Sequence, residues 1–197
     1  MKVLNLYAGI GGNRKLWENV EVTAVELDTY VAETYAKLFK DDLVIVADAH
    51  KFLVDHYLDY DFIWTSPPCP THSRLNDSRP ANQKRYPSME LYEEIIFLKH
   101  YCKGSWVVEN VISYYDPLIT PKASLARHYF WANFEIPPMQ IEANPDLSRS
   151  QVKDLAAYHE IVLPEGTKAQ RKMLRNAVNP KLGNHVFNSA PLQEGLF

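Results

Sequence analysis

The sequence predicts an α/β fold, with a mostly parallel sheet and helices on both faces. Short apolar runs rich in Val, Ile and Leu recur along the first half of the chain and lack polar alternation, which is typical of buried strands. Segments with helical spacing separate these runs, and this alternation favours right-handed crossovers between parallel strands. A length of 197 residues suits one domain with a full core, so we predict a single domain over residues 1–197.

Each element follows from a local pattern. The predicted strands of the first half are residues 3–7, 22–26, 43–47, 61–65 and 106–109. The predicted helices of that half are residues 29–39, 49–58 and 89–102. Pro87 and Ser88 mark the start of the last of these helices. Its early turns contain acids, which the helix dipole favours there: Glu90, Glu93 and Glu94.

The pattern loosens after Asn110. Residues 137–167 are rich in Pro, Asn, Asp and Ser, and they predict a loop-rich insert. The remaining predicted elements are a strand at residues 128–136 and short helices at residues 151–158, 171–177 and 181–187.

The composition excludes a membrane-spanning or disulfide-stabilised class. Hydrophobic residues make up 46% and charged residues 23%, and no apolar run reaches the roughly 18 residues of a membrane span. Cys69 and Cys102 form neither a disulfide framework nor a zinc-ligand spacing. Residues 1–6 lack the layout of a signal peptide. We therefore expect a cytoplasmic, reducing setting, no membrane partner and no bound metal.

Positive charge is concentrated in two segments, although the net charge is −3. Residues 168–185 contain cations and no acid: Lys168, Arg171, Lys172, Arg175 and Lys181. Residues 72–86 contain one acid, Asp77, against four cations: Arg74, Arg79, Lys84 and Arg85. Either segment alone is equally well explained as a solvated face. Two such segments beside one site favour a polyanionic substrate.

A glycine-rich turn, residues 8–12, follows the first strand. Ligands of open α/β sheets bind beyond the carboxyl ends of the strands, where Glu26 and Asp48 end the next two. These carboxylates could accept from ribose hydroxyls and an adenine amino group. The alternatives are a tight turn without a ligand and carboxylates that cap helices, particularly Asp28 and Asp48. Since the turn lacks a Walker lysine, an adenosine cofactor without a triphosphate fits better than ATP.

Two further strand ends carry reactive side chains. Pro67 and Pro68 stiffen the loop before Cys69, which favours an exposed thiol over the usual buried small hydrophobe. A thiolate is a strong carbon nucleophile near neutral pH when its pKa is lowered. Glu109 is either a structural carboxylate or an acid that burial keeps protonated, facing Cys69 and able to donate to a ring nitrogen.

These motifs form an ordered series. In chain order they are Tyr7-Ala8-Gly9-Ile10-Gly11-Gly12, Val25-Glu26-Leu27-Asp28, Ala47-Asp48, Ser66-Pro67-Pro68-Cys69 with Ser73, Glu109-Asn110-Val111, and Arg175-Asn176-Ala177-Val178. The series resembles the signature series of DNA cytosine-5 methyltransferases, and it covers nearly the whole chain apart from residues 137–167. The Pro-Pro-Cys and Glu-Asn-Val motifs make the resemblance specific. It implies a Rossmann-like methyltransferase fold that depends on S-adenosylmethionine.

The resemblance also implies a role for each matched residue. Cys69 would add to C6 of a cytosine flipped out of duplex DNA, Glu109 would hold and protonate N3, and Arg127 would contact O2. C5 would then attack the methyl carbon, and loss of the C5 proton would expel the thiolate. The cofactor would contact Tyr7, Ala8, Gly9, Ile10, Gly11, Gly12, Glu26, Leu27, Asp48, Ala49, Pro68, Asn176 and Val178. The substrate would contact Ser73, Arg74, Asn110 and Val111.

The chain departs from the family pattern in two places. Ala123 and Leu125 replace the glutamine and first arginine of the Gln-x-Arg-x-Arg strand, and Pro70-Thr71-His72 replaces the usual Gln-x-Phe before Ser73. His72 could take part in proton transfer, but we expect it to be a loop histidine that faces solvent. Between Trp131 and Arg171 lie only about forty residues, too few for an independent reader of DNA sequence. A compact, phage-like enzyme would then read DNA weakly, or through a specificity partner or self-association.

Three other functions remain as alternatives. The same chemistry could act on RNA or on a small cytosine-bearing substrate. A non-catalytic module could keep the cofactor fold for binding, but it would have no physical need for Cys69, Glu109 and Arg127 together. An NAD-dependent dehydrogenase is disfavoured because the turn reads Ala-Gly-x-Gly-Gly in place of Gly-x-Gly-x-x-Gly.

Overall fold

One seven-stranded sheet organises the chain. The computed structural model describes residues 1–141, 146 and 149–191, and the strands run in the order β3-β2-β1-β4-β5-β7-β6 across the sheet. The strands are β1 (Lys2–Leu6), β2 (Glu21–Glu26), β3 (Leu43–Val46), β4 (Phe62–Thr65), β5 (Ser105–Val111), β6 (Ala123–Leu125) and β7 (His128–Ala132). All five strands predicted in the first half of the chain are confirmed, with bounds that differ by a few residues.

The first five strands are parallel, and the last two are not. β1 is central and pairs in parallel with β2 and β4, while β3 and β5 extend the parallel sheet on either side. β7 runs antiparallel between β5 and β6. The predicted, mostly parallel α/β sheet is therefore confirmed. The short strand β6 was not predicted.

β7 ends earlier than the predicted strand, which extended to residue 136. The side chain of Asn133 takes over where the strand pairing stops. Its Oδ1 accepts from the backbone N–H of Trp106 at 2.9 Å, and its Nδ2 donates to the carbonyl of Gly104 at 2.9 Å. Because this side chain already satisfies the edge of β5, the chain is free to turn away after Ala132.

Seven α-helices connect or flank the strands in the described residues, and a short 3₁₀ turn covers Ala81–Gln83. The helices are α1 (Thr29–Leu38), α2 (Ala49–His56), α3 (Arg74–Asp77), α4 (Glu90–Tyr101), α5 (Val152–His159), α6 (Gln170–Asn176) and α7 (Pro180–Asn188). Every predicted helix is confirmed to within a few residues, and α3 was not predicted. Asp28 and Asp48 cap α1 and α2 through their side chains, as the helix-cap alternative proposed.

Helices cover both faces of the sheet. Successive residues of a strand point to opposite faces, so a strand buried on both sides must be apolar throughout. One face packs Val3, Phe62 and Val107 against α7. The other packs Leu4, Ile63 and Val108 against α2 and α4. This double burial is the physical reason that the predicted strands lack polar alternation.

The predicted insert, residues 137–167, lies only partly within the described residues. Its helix α5 confirms the short helix predicted at residues 151–158. Residues 142–145 and 147–148 of the insert lie outside the described part of the chain. The assignment of a single domain with this insert stays a prediction. Among the helices described, none combines the length and the apolar character of a membrane span.

Candidate active site

The carboxyl edge of the sheet contains a cavity of about 240 Å³. Many residues predicted to hold the cofactor line it: Tyr7, Ala8, Gly9, Ile10, Gly12, Glu26, Asn176 and Val178. The first strand end and the C-terminal segment, although distant in sequence, thus form two walls of one cavity. This is the position at which open α/β sheets bind their ligands.

The glycine-rich turn fits a ligand through its backbone. Gly9 has a φ of +55°, and a Cβ placed on it would meet nothing within 4 Å, so the turn leaves open space at this point. Glu26 fixes the turn, because its Oε2 accepts from the N–H of Gly9 at 2.9 Å. At Gly12 a Cβ would lie 2.3 Å from the carbonyl oxygen of Val178. Only glycine therefore allows the turn to contact the C-terminal wall.

Tyr7, just before the glycine-rich turn, is anchored to α4 through Glu94. Its hydroxyl donates to Glu94 at 2.5 Å, and the hydroxyl of Thr65 donates to the other oxygen of the same carboxyl at 2.5 Å. Burial raises the pKa of Glu94, although the two hydroxyls oppose that effect. The sequence placed Glu94 among the acids of the first turns of α4 and missed this buried role.

The cavity lining differs in part from the predicted cofactor set. Within the described residues, five members of that set are not part of the lining: Gly11, Leu27, Asp48, Ala49 and Pro68. Gly11 packs against α1, where a Cβ would lie 2.4 Å from the Phe39 ring. Asp48 accepts from the N–H of Lys51 at 3.0 Å as a helix cap, and Leu27 is 68% exposed. The assignment of these five to the cofactor stays a prediction.

Several lining residues were not predicted. They are Asn13, Asp28, Tyr30, Val31, Ser66, Ala169, Lys172, Met173 and Ala177. The backbone N–H of Lys168 donates to the Tyr30 hydroxyl at 2.6 Å and brings the start of α6 over the end of β2. No local motif marks residues 169–173, because only the tertiary fold carries them to the cavity.

Cys69 lies on the loop after β4, half-buried. Its carbonyl accepts from the N–H groups of His72 and Ser73, which folds the loop back on itself. The side-chain amide of Asn110, at the end of β5, donates to the carbonyl of Pro67 at 2.9 Å and holds the loop against the sheet. Burial and the Glu109 carboxylate raise the pKa of the Cys69 thiol. The lowered pKa that would make this thiol a strong nucleophile is therefore not present in the resting protein.

Glu109 is buried on β5 and contacts His128 of β7. Nδ1 of His128 lies 2.5 Å from Oε1 of Glu109. Burial disfavours the carboxylate, but the charge and hydrogen bond of His128, helped by Ser66 and Arg127, outweigh it and lower the pKa of Glu109. Of the two alternatives for Glu109, a structural carboxylate and an acid that burial keeps protonated, the lowered pKa favours the ionised carboxylate, because His128 lies beside it.

Arg127 completes the group of predicted catalytic residues. It lies in the tight turn between β6 and β7, and its guanidinium donates to the carbonyl of Arg175 at 3.0 Å. Its charge lowers the pKa of both Cys69 and Glu109, whereas Glu109 raises that of Cys69. The structure thus brings the predicted nucleophile, acid and arginine into one electrostatic cluster.

His72 is buried, contrary to the expectation of a solvent-facing side chain. It is 1% exposed, and its Nδ1 lies 2.6 Å from the hydroxyl of Tyr115. The N–H of Tyr114 also donates to the His72 carbonyl at 3.2 Å. Burial lowers the pKa of His72. The correction follows from the segment after β5, which closes over the Cys69 loop.

The residues predicted to contact substrate occupy different environments. Ser73 is half-buried at the start of α3, and Arg74 is exposed on that helix. Asn110 is buried and anchors the Cys69 loop, while Val111 is half-buried next to it. Their assignment to substrate stays a prediction.

The structure also adds His159 of α5, which is buried beside Arg127 and His128. Burial and the charges of those two neighbours lower the pKa of His159 to about 4.

The family model of C-5 cytosine-specific DNA methylases matches residues 1–114. The chain belongs to this family. The matched range contains the glycine-rich turn, Cys69 and Glu109, and it ends before Arg127. The chain is therefore a member of the cytosine C5 methylase family, with S-adenosylmethionine as its cofactor.

Two solved methyltransferase structures are similar to part of the chain. A triple mutant of DNMT2 from Spodoptera frugiperda is 25% identical, with 56% of this chain and 35% of that chain covered and a TM-score of 0.39. A putative DNA modification methyltransferase encoded in an E. coli prophage is 18% identical, covering 84% and 56%, with a TM-score of 0.44. No curated protein sequence matches the chain. The chain spans about a third of the length of the DNMT2 chain.

Proposed function

We propose that this methylase transfers a methyl group from S-adenosylmethionine to C5 of cytosine in DNA, through a covalent bond between Cys69 and a flipped-out base. One observation carries the proposal: the Cys69 loop, Glu109 of β5 and the turn of Arg127 converge at the carboxyl edge of the sheet, joined by the Asn110–Pro67 and His128–Glu109 contacts. Ser66 lines the cavity and also hydrogen-bonds Glu109, so the acid and the proposed cofactor cavity share a wall.

The glycine-rich turn and Glu26 would hold the cofactor. Open space beside Gly9 admits a ligand close to the backbone, and the carboxylate of Glu26 lines the cavity where it can accept from ribose hydroxyls. Bound S-adenosylmethionine supplies an electrophilic methyl group. The chain's own residues activate the base that receives it.

Cys69 and Glu109 would divide the activation of cytosine between them. Sγ of Cys69 forms a bond to C6, and Glu109 passes a proton to N3. The ring therefore does not accumulate negative charge. The electrons of the former C5–C6 double bond then make C5 nucleophilic. After methylation, loss of the C5 proton restores that double bond and expels the thiolate. Arg127 favours the thiolate form throughout, because its charge lowers the pKa of Cys69.

The substrate would be duplex DNA, from which the target base must leave the stack to reach Cys69. Exposed arginines on the loop that follows Cys69 provide phosphate contacts: Arg74, Arg79 and Arg85. The short segment between β7 and α6 leaves sequence reading to a specificity partner or to self-association. Because this segment is short, RNA or a small cytosine-bearing compound is the second candidate substrate.

Covalent trapping tests the chemistry. The protein is mixed with S-adenosylmethionine and a random-sequence duplex that contains 5-fluorocytosine, and the product is weighed by mass spectrometry. Fluorine cannot leave as a proton, so the covalent intermediate persists. We expect an adduct with wild type and with Cys102→Ala, and none with Cys69→Ala. Parallel reactions with single-stranded RNA and with 5-fluorocytidine separate the substrates. If the cofactor binds but no substrate gives an adduct, the proposed function is wrong.

A binding titration tests the cofactor cavity. Glu26→Ala should weaken S-adenosylmethionine binding by about tenfold or more, since one hydrogen bond to a charged group contributes roughly 1.5–3 kcal/mol. Glu21→Ala is the matched control, because Glu21 begins the same strand at the opposite edge of the sheet and is exposed. Equal affinity of the two variants would contradict the cavity assignment.

A further inference from the structure

The strand register brings His128 to Glu109. In the antiparallel pair of β5 and β7, Glu109 lies opposite Phe130 and Val111 lies opposite His128. Residues two apart share a face of a strand, so His128 and Glu109 are diagonal neighbours on one face. Both are 6% exposed, and their side chains meet at 2.5 Å. Two titratable groups in contact and shielded from water must share their protons as a pair.

The proposed chemistry needs a proton that Glu109 does not hold by itself. Protonation of N3 requires a donor, whereas the lowered pKa of Glu109 makes it a carboxylate in the resting protein. A carboxylate can only accept a hydrogen bond. The proton must therefore reach Glu109 from a neighbour before or during the attack of Cys69.

The neighbours of the pair differ in their ability to supply that proton. Arg127 stays protonated at any pH relevant to catalysis. His159 of α5, which faces both Arg127 and His128, has a pKa of about 4 and is neutral near pH 7. The Cys69 thiol must itself lose its proton to react. Among the described residues whose charges act on Glu109, His128 alone has an imidazole in contact with its carboxylate, and an imidazole can both hold and release a proton.

We propose that His128 is a positioning residue that stores the proton which Glu109 passes to N3 of the bound cytosine. This inference rests on the proposed function. The proton on Nδ1 of His128 moves to Oε1 of Glu109 as the carboxyl proton moves to N3, and His128 becomes neutral. When the product forms, the N3 proton returns to Glu109 and recharges His128. The pair thus gains and loses no proton over one turnover.

A titration of Glu109 tests the coupling without any methyl transfer. The protein is labelled with ¹³C at glutamate carboxyls, and the Glu109 signal is assigned by its loss in Glu109→Gln. His128→Asn keeps a side-chain donor near the place of Nδ1 but cannot carry a titrating proton. We expect this variant to raise the pKa of Glu109, because burial then acts without the opposing charge. An unchanged pKa would overturn the inference.

The pH profile of the reaction tests the role. Without a proton on residue 128, Glu109 must take its proton from water. The decline of the methyl-transfer rate at high pH therefore begins at a lower pH in the variant. At about pH 8 we expect His128→Asn to be slower than wild type by roughly 100-fold, and near its acidic optimum by only about threefold. His100→Asn, an exposed change on α4, should follow wild type. A purely structural role of His128 would lower the rate by the same factor at every pH and would contradict the proposal.

The two readouts separate the possible failures. If wild type methylates no cytosine substrate, both the proposed function and the role of His128 as a proton donor to Glu109 are wrong. The ¹³C titration still shows whether His128 and Glu109 are coupled. If wild type is active and the profiles of wild type and His128→Asn have the same shape, only the proton store is wrong.

Discussion

Two groups of opposite charge act on the Cys69 thiol. Glu109 raises the pKa of the thiol, in addition to burial, and Arg127 lowers it. A thiol with a raised pKa is a poor nucleophile in the resting protein, which protects it from oxidation and alkylation. Movement of a proton onto Glu109 removes the carboxylate charge and leaves the effect of Arg127. Protonation of Glu109 would therefore favour the Cys69 thiolate, so the two proposed catalytic steps would be coupled electrostatically.

The alkylation rate of Cys69 with iodoacetamide should report this balance. In a Cys102→Ser background, Glu109→Gln should lower the pKa of Cys69 and increase its alkylation rate near neutral pH by roughly tenfold. Arg127→Met should have the opposite effect. The pH dependence of alkylation, followed by mass spectrometry, gives each pKa. A higher pKa of Cys69 in Glu109→Gln than in the parent would show that the two charges are not coupled as described.

Individual site residues differ in how well the sequence predicts them. Cys69 and Glu109 were predictable because each follows a short apolar strand in a motif with a chemical reason. His128 was not, because its contact depends on the antiparallel register of β5 and β7. His72 looked like a loop histidine, and only the closure of Tyr115 over it shows that it is buried. Contacts between segments distant in the chain have no local signal.

At the scale of elements, α7 fixes the far end of the glycine-rich turn. A Cβ on Gly183 would lie 2.4 Å from the backbone oxygen of Asn13, so helix and turn meet backbone to backbone. Asn13 lines the cavity, and its side-chain amide donates to Asn5 of β1 at 2.8 Å. The C-terminal helix therefore acts on the cavity through this contact, although it contributes no residue to the lining in the described part of the chain.

Gly183→Ala should reverse the usual effect of alanine in a helix. Alanine normally stabilises a helix interior by about 1 kcal/mol relative to glycine. Here its methyl group would push α7 from the turn, and overpacking of this kind costs about 1–3 kcal/mol. We expect a net loss of unfolding free energy in urea denaturation. Asn188→Ala, an exposed change at the end of the same helix, should shift that free energy by less than about 0.5 kcal/mol. A more stable Gly183→Ala would mean that the two backbones are not in contact.

The elements themselves were largely predictable, for a physical reason. Strands buried on both faces are continuous apolar runs, and capped helices separate them, so local patterns determine both. β6 is short, with the sequence Ala-Ser-Leu, and carries neither pattern. It forms because it pairs with the edge of β7. This pairing depends on the assembled sheet and has no signal in the local sequence.

At the scale of the whole molecule, the two basic segments differ in what their cations do. In the C-terminal segment, Lys181 pairs with Glu160 at 3.2 Å, and the Arg175 carbonyl binds Arg127. That segment contributes to the cavity wall and to the position of Arg127. In the loop after Cys69, Lys84 pairs with Asp77 at 2.8 Å, and the three arginines of the loop are exposed. If the proposed DNA substrate is right, phosphate contacts should therefore come mainly from the loop that also carries Cys69.

The salt dependence of DNA binding should identify the docking face. Each phosphate contact contributes a slope of about −0.9 to the dependence of log K on log salt concentration, because one counterion is released. The triple variant Arg74→Ala, Arg79→Ala, Arg85→Ala should thus flatten the slope by up to about 2.7 and weaken binding at low salt. The matched control removes three exposed cations from the opposite edge of the sheet, Lys2, Lys40 and Lys103, and keeps the net-charge change the same. Equal flattening in both variants would show that binding follows total charge and not this face. Flattening in the first alone would place the duplex over the Cys69 loop, where a flipped base has the shortest path to the thiol.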